Sequence, residues 1–341
     1  MRIEFTEDVL DLLRMNVASA AITTSLRQGL FWDLVDNEWD TSDVAKAYSI
    51  PVERSRAYLM LLLEMGLLEE DGGVFKPSQR AATCILNAYG RDSWGVLAVE
   101  AEKYYPTMTD LNSRISQRVS VLNAQPGIKG YVEELQDSKE YAKKFTIMLA
   151  EMHAPMAREL GHHLKLDGVQ TILDVGGGSG IMSWGIIEQH SQVTSTVIDL
   201  PNVCEVGREY ATSMGWTSIA YHPLDIFNDD LPREQDLILM SDIGGFSRDL
   251  FAKFRDSLKE GGRIVHCSNF DGFGYWLSHG AERPGLLRRM GDLIFAMMDL
   301  DHETPSVDDV VTALEQASLA PVVSTVLPSG LVVIEALKQA G

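Results

Sequence analysis

Five consecutive residues in the second half of the chain, Gly176-Gly177-Gly178-Ser179-Gly180, follow the apolar run Thr171-Ile172-Leu173-Asp174-Val175 and precede a second apolar run over 181–190. Glycines let a backbone approach a ligand closely and take positive φ, and the first turn of a following helix presents N–H groups to an anionic or polar moiety. The arrangement reads as a strand-end site for a nucleotide-like ligand. Asp199 ends the next apolar run, roughly 20 residues past the loop, where a carboxylate suits ribose hydroxyls. Asp225 with Ile226 and Phe227 ends a third run, pairing a carboxylate for an amino group with an apolar neighbour for a flat ring. The glycine spacing also resembles a loosened dinucleotide fingerprint, so the loop alone does not separate the two ligand classes.

Such residues need a rigid sheet beneath them. Apolar runs at 171–175, 195–199, 218–222, 237–241 and 263–268 alternate with helical stretches, which predicts a parallel sheet covered on both faces. Ahead of it, apolar residues over 8–34 recur at helical spacing with a break at Gly29, predicting two helices. Thr41-Ser42-Asp43-Val44-Ala45 offers an N-cap and a short helix, Pro51 opens another that Gly66 stops, and 67–77 reads as two short strands about an Asp71-Gly72 turn. Helix, helix, helix, hairpin is a winged-helix pattern. Residues 83–160 read as helical connectors broken at Gly90, Pro106 and Gly127, ending in a long amphipathic helix over 138–164 that carries Met148, Met152 and His153. A large helical region ahead of the glycine loop weighs against a dehydrogenase.

The 341 residues carry 29 Lys and Arg against 49 Asp and Glu, a net charge of −20. Binding nucleic acid or anionic lipid needs clustered basic residues. Residues 1–160 are net −7 and 161–341 net −13, so neither half supplies them. Residues 30–80 hold 5 basic and 10 acidic side chains, and the would-be recognition helix is largely apolar, so the winged helix reads as a dimerisation or substrate-pocket module. Cys84, Cys204 and Cys267 are odd in number and widely spaced, which fits a reducing cytoplasm. The acidic start of the chain lacks a secretory signal pattern, and no apolar run approaches the roughly 18 residues of a membrane span. A soluble cytoplasmic protein without nucleic-acid or membrane partners is expected.

Taken together, Leu173-Asp174-Val175-Gly176-Gly177-Gly178-Ser179-Gly180, Asp199-Leu200-Pro201, Leu224-Asp225-Ile226-Phe227 and Gly261-Gly262-Arg263 resemble the motifs of the S-adenosylmethionine-dependent small-molecule methyltransferases that include plant phenolic O-methyltransferases and their bacterial natural-product relatives. The resemblance covers essentially the whole chain. It implies an α/β fold: a class I methyltransferase Rossmann-like sheet preceded by a mostly α-helical winged-helix dimerisation domain. The implied organisation is a winged-helix dimerisation domain at 1–85, a helical connector and pocket lid at 86–160, and an S-adenosylmethionine-binding catalytic domain at 161–341. It further implies a homodimer formed through the N-terminal helices and a small-molecule acceptor. Gly176 and Gly178 would approach the methionyl end of the cofactor, Asp199 the ribose hydroxyls, and Asp225 with Ile226 the adenine. Leu200, Met240, Ser241 and Phe246 complete the implied cofactor contacts, Met240 standing where the family has a lysine and Phe246 where a tryptophan packs on adenine.

The family's general-base histidine follows the fourth strand, and ungapped alignment puts Gly244 at its position. The base must then come from elsewhere: His153, Asp242 at the strand end, or His302 in a C-terminal loop, with His279 a further candidate. Alternatively the acceptor is a carbon or nitrogen that needs no dedicated base, in-line displacement deriving much of its rate from positioning. The missing histidine also motivates a cofactor-binding enzyme that transfers no methyl, such as a cyclase, decarboxylase or hydroxylase, and the winged helix motivates a ligand-responsive DNA-binding regulator. His279 and His302 lack a recognisable metal-ligand spacing, and no metal is expected. The stripe Leu293, Phe295, Met297 and Met298 suits either an apolar acceptor pocket or a core face.

Overall fold

The computed structural model describes residues 3–118, 131–241, 243, 247–268, 285–298 and 306–339. They fall into two compact units, Met1–Ser116 and Gln117–Gly341.

The N-terminal unit opens with three helices, Thr6–Leu12, Met15–Gln28 and Leu30–Asp36, where the periodicity over 8–34 predicts two. The first buries no residue, so packing does not hold it in line with the second; Asp8 sets its start by accepting the Glu4 and Phe5 N–H groups at 2.9 Å. Gly29, in the left-handed region at φ 78°, makes the expected second break. Helix Thr41–Tyr48 is capped one residue earlier than the sequence suggests, by Asp40, which accepts from the Ser42 and Asp43 N–H groups. Helix Val52–Glu64 buries Leu59 and Leu62 completely, against Phe31, Leu34 and Val44. A face so used cannot read a DNA groove. Strands β1 (Trp39–Asp40), β2 (Leu68–Asp71) and β3 (Val74–Pro77) form an antiparallel sheet in the order β1-β3-β2. Asp71 pairs with Val74, so the hairpin turns on Gly72 and Gly73, both at positive φ as a tight two-residue turn requires. Pro106 does not break the connector: it lies inside the helix Arg91–Thr109, which continues past the one lost N–H. Arg91 anchors that helix by donating to Asp33 at 2.7 Å and to the Gln28 carbonyl oxygen at 2.8 Å.

The C-terminal unit is built on seven strands: β4 (Thr171–Val175), β5 (Thr194–Asp199), β6 (Ile219–Pro223), β7 (Gln235–Ser241), β8 (Leu258–Ser268), β9 (Leu319–Val326) and β10 (Val332–Lys338). Their order is β6-β5-β4-β7-β8-β10-β9, with β4 to β8 pairing in parallel and β10 antiparallel to both β8 and β9. Alternate residues feed two cores. Ile172, Val197, Leu239 and Val265 pack with residues of the helices Lys139–His163 and Ile181–Gln189. Leu173, Ile198, Ile238 and Ile264 pack with residues of Arg248–Ser257 and Val307–Gln316, the latter opened by a capping box of Ser306 and Asp309. The fold is α/β and Rossmann-like. Its strand order reverses at β4, with β5 and β6 to one side and β7 onward to the other, which opens a crevice at the carboxyl ends of these strands.

Candidate active site

The glycine loop leaves β4 at that crevice. Gly176, Gly178 and Gly180 all have positive φ, and the Gly176 N–H donates to the Ile198 carbonyl oxygen at 2.8 Å, tying the loop to β5. Gly177 has no room for a side chain: a Cβ there would lie 2.4 Å from the Asp174 carboxyl carbon. The Ile243 side chain, beyond β7, lies over Gly176 at the start of the loop.

Asp199 ends β5 with both oxygens oriented. Gly178 N–H donates to Oδ2 at 2.9 Å and Leu200 N–H to Oδ1 at 2.7 Å. The two residues expected to approach the cofactor beside Asp199 thus hold its carboxylate level with the loop. Burial raises its pKa, and the two N–H donors pull it back down. The side chain remains partly exposed, and each oxygen has lone-pair capacity left for a hydroxyl donor.

Beneath the loop is a polar cluster that sequence reasoning passes over. Asp174 is fully buried in β4. The Ser183 hydroxyl donates to its Oδ2 at 2.6 Å and lies 2.8 Å from the Ser195 hydroxyl, while the Ser183 N–H also faces the carboxyl. Ser183 belongs to the first turn of the helix Ile181–Gln189, whose N-cap Gly180 has no side chain to offer. Asp174 therefore fills the anion-accepting end of that helix. A phosphate would find those donors taken and two carboxyl groups nearby. This disfavours the dinucleotide reading and fits a phosphate-free, cationic ligand. Asp174 Oδ1 has no hydrogen-bond partner, a buried acceptor directed under the loop. The visible clue was an acid inside an otherwise apolar strand.

Asp225 is exposed and organises its own turn, accepting from the N–H groups of Phe227 at 2.9 Å and Asn228 at 3.3 Å, and from Asn228 Nδ2 at 2.8 Å. The Asn228 side chain and these N–H groups hold its pKa down, so it stays ionised. Ile226 is buried, its carbonyl oxygen accepting from Lys253 at 2.7 Å, whereas Phe227 stands 67% exposed beside it. On β7, Met240 is fully buried in the core and Ser241 lies partly exposed at the strand end. Met297 is buried and Leu293 exposed on the helix Gly285–Met298. Asp242, Gly244, Phe246, His279 and His302 lie outside the described residues, as do Gly127 and the side chains of Phe295 and Met298.

His153 is described and buried, and burial pushes its pKa down to about 4, keeping it neutral at pH 7. Its helix Lys139–His163 meets the helix Ile181–Gln189 backbone to backbone: a Cβ on Gly185 would lie 2.2 Å from the Ala157 carbonyl oxygen, and one on Gly161 would lie 2.0 Å from that of Gly185 and 3.2 Å from the Gln189 side chain. Successive turns of one helix meet successive turns of the other in the same sense. His153 lies one turn before Ala157 on that helix. Among the described residues no group of three or more His, Cys, Asp or Glu could hold a metal ion.

A family model for an O-methyltransferase domain matches residues 95–270, just over half of the chain. The chain belongs to the O-methyltransferase family. The methyltransferase is 26% identical over 250 residues to 3-hydroxy-5-methyl-1-naphthoate 3-O-methyltransferase of Streptomyces sahachiroi, covering 72% of this chain and 71% of that protein. It is 22% identical over 263 residues to the N,N-dimethyltransferase OxyT of Streptomyces rimosus, covering 74% and 76% of the two. In fold it matches a solved structure of PigF with SAH at a TM-score of 0.81, with 17% identity and coverage of 98% of this chain and 100% of that one. The methyltransferase is an S-adenosylmethionine-dependent enzyme on a class I fold. The site fits that cofactor: Asp199 has capacity for ribose hydroxyls, and the carboxyl groups of Asp174 and Asp199, with no cation among their hydrogen-bond partners in the described residues, suit a positively charged ligand. Among the described residues no helix is long and apolar enough to cross a membrane.

Proposed function

We propose that this methyltransferase methylates a hydroxyl of a small, partly apolar natural-product acceptor. The observation that carries the reading is the phosphate-excluding, acid-lined crevice at the ends of β4 and β5, on a chain that resembles a naphthoate 3-O-methyltransferase. S-adenosylmethionine supplies, when bound, an electrophilic methyl group on a positively charged sulfur.

The chain's residues have defined tasks in this reading. Asp199 holds the ribose hydroxyls, with Gly178 and Leu200 orienting it. Asp225, Ile226, Ser241 and Phe246 line the adenine side, Met240 supports them from the core, and Gly176 gives the methionyl end close access to the backbone. His153 takes the acceptor proton in this reading, carried by a helix that packs against the one following the glycine loop. A histidine of depressed pKa is a weak base, so the acceptor's own acidity must contribute, which favours phenolic and enolic hydroxyls over aliphatic ones. The enzyme is further assigned to the cytoplasm, its three cysteines forming no disulfide, and to a homodimer formed through the N-terminal helices.

Incubation with methyl-labelled cofactor and a panel of phenols, aliphatic alcohols and amines tests the reading, with mass spectrometry of both products. The expected result is label on phenolic oxygen with stoichiometric S-adenosylhomocysteine. Label confined to nitrogen, as the N,N-dimethyltransferase relative would suggest, or turnover without S-adenosylhomocysteine, overturns it.

A further inference from the structure

The cluster under the glycine loop has a property that positioning alone does not require. Asp174 is completely buried and receives only the Ser183 hydroxyl and N–H, leaving Oδ1 without a partner directly below Gly177. The titratable groups acting on it are acids, while the cation Arg208 donates to the Tyr221 carbonyl oxygen at 3.0 Å and acts on Tyr221 and Cys204 rather than on Asp174. Asp199 lies at the end of β5; Tyr221, from β6, donates to the Ser179 carbonyl oxygen at 2.6 Å and is itself raised by burial and by Asp174. Cys204, from the helix Pro201–Ser213, is pushed up to about 11 by burial and by Asp199. Ser183 and Ser195 contribute hydroxyls without charge.

We propose that Asp174 couples cofactor binding to proton release: the free enzyme holds it as a neutral carboxylic acid beneath Gly177, and arrival of the sulfonium-bearing donor converts it to a carboxylate. The O–H bond of the carboxyl breaks and the proton leaves to the buffer, with no redox change. A buried acid deprived of cationic neighbours resists ionisation, and a positive charge brought into the same low-dielectric pocket reverses that preference. Burial, opposed by the Ser183 donors, pushes Asp174 up to about 7, which puts the conversion in the physiological range. The demethylated product carries one positive charge fewer, so Asp174 recovers its proton after transfer. The carboxyl thereby distinguishes donor from spent cofactor by charge rather than shape, and it does so below the loop, not at the acceptor.

Calorimetric titration of the full-length enzyme without acceptor tests this, in buffers of different ionisation enthalpy from pH 6 to 8. The inference rests on the cofactor site and not on the acceptor chemistry, so it can fail while the acceptor reading stands, and the reverse. Expected is release of a fraction of a proton on binding S-adenosylmethionine, less on binding S-adenosylhomocysteine, and a donor-to-product affinity ratio that rises with pH by up to about tenfold per unit. In Asp174→Asn the difference in release disappears and the ratio becomes flat in pH. In Ser183→Ala, which removes a donor to the carboxylate, the rise moves to higher pH; a purely structural role for Ser183 would change affinities without moving that profile. Equal proton release for both ligands, or a pH-dependent ratio that survives in a folded Asp174→Asn protein, overturns the proposal.

Discussion

His153 and His266 show how little a residue type says before its surroundings are known. Both are buried histidines whose pKa burial pushes down to about 4. His266 sits in the interior of β8 with its ring edge-on to Phe251 at 6.4 Å, among the side chains of the lower core. His153 lies on the helix Lys139–His163, which packs against the helix that follows the glycine loop. For His153→Gln we expect kcat to fall by about 100-fold, as loss of a general base does, with cofactor Kd unchanged by calorimetry. With donor and acceptor saturating, the wild-type kcat should keep its His153 contribution above pH 5 and lose it as His153 protonates near pH 4, because a base of lowered pKa is active above that value. A variant with unaltered kcat would remove His153 from the mechanism. Asp199 was legible because strand end and spacing point to it without tertiary knowledge. Asp174 was not, since its partner Ser183 and the Ser195 hydroxyl that Ser183 meets lie nine and 21 positions further on and come together only once β4, β5 and the following helix are assembled.

Between elements, the seating of the helix Ile181–Gln189 decides where the loop stands. That helix is apolar on all sides, Ile181, Met182, Ile186 and Ile187 being buried, which marks it as an interior helix. What lets it come so close to the helix Lys139–His163 is the pair Gly161 and Gly185. At Gly185 an added methyl would meet the Ala157 carbonyl carbon at 2.3 Å and its oxygen at 2.2 Å, backbone that no rotamer change can clear. Gly185→Ala should therefore cost roughly 1–3 kcal/mol of stability, as overpacking does, and weaken cofactor binding by shifting the helix that carries the loop. Thermal unfolding and calorimetry of the same preparation would show both losses; a variant with wild-type Tm and Kd would mean that the two helices can separate without disturbing the loop. Element types and most boundaries followed from periodicity and caps. The misplaced points are those where a local rule met tertiary support, as at Pro106, or lacked it, as between the first two helices.

For the molecule as a whole, the net charge of −20 bears on partners and on assembly. The N-terminal unit exposes Phe5, Leu10, Leu13, Met15 and Val17 on its first two helices and their flanking cap residues, apolar surface that the described residues of that unit leave uncovered. Clustered exposed apolar side chains of this kind suit an interaction surface, and in the proposed homodimer a second copy covers them. Light scattering should give twice the chain mass for the wild type. Phe5→Glu combined with Leu13→Glu should give a monomer with unchanged thermal stability of the individual chain, because neither residue contributes to a core. A monomeric wild type would refute the assembly.

Local chemistry alone dictated the glycine loop, Asp199, the alternation of strands and helices, and the acidic balance that excludes polyanions. These depend on neighbours in the chain, on periodicity and on counting. The tertiary structure decided that Asp174 occupies the helix end a phosphate would need, that Asp225 spends its carboxylate on its own turn, and that two glycines on different helices let the loop's helix seat against its neighbour. Each of those outcomes depends on distances between residues far apart in sequence, which only a folded sheet and its packed helices bring within hydrogen-bond or van der Waals range.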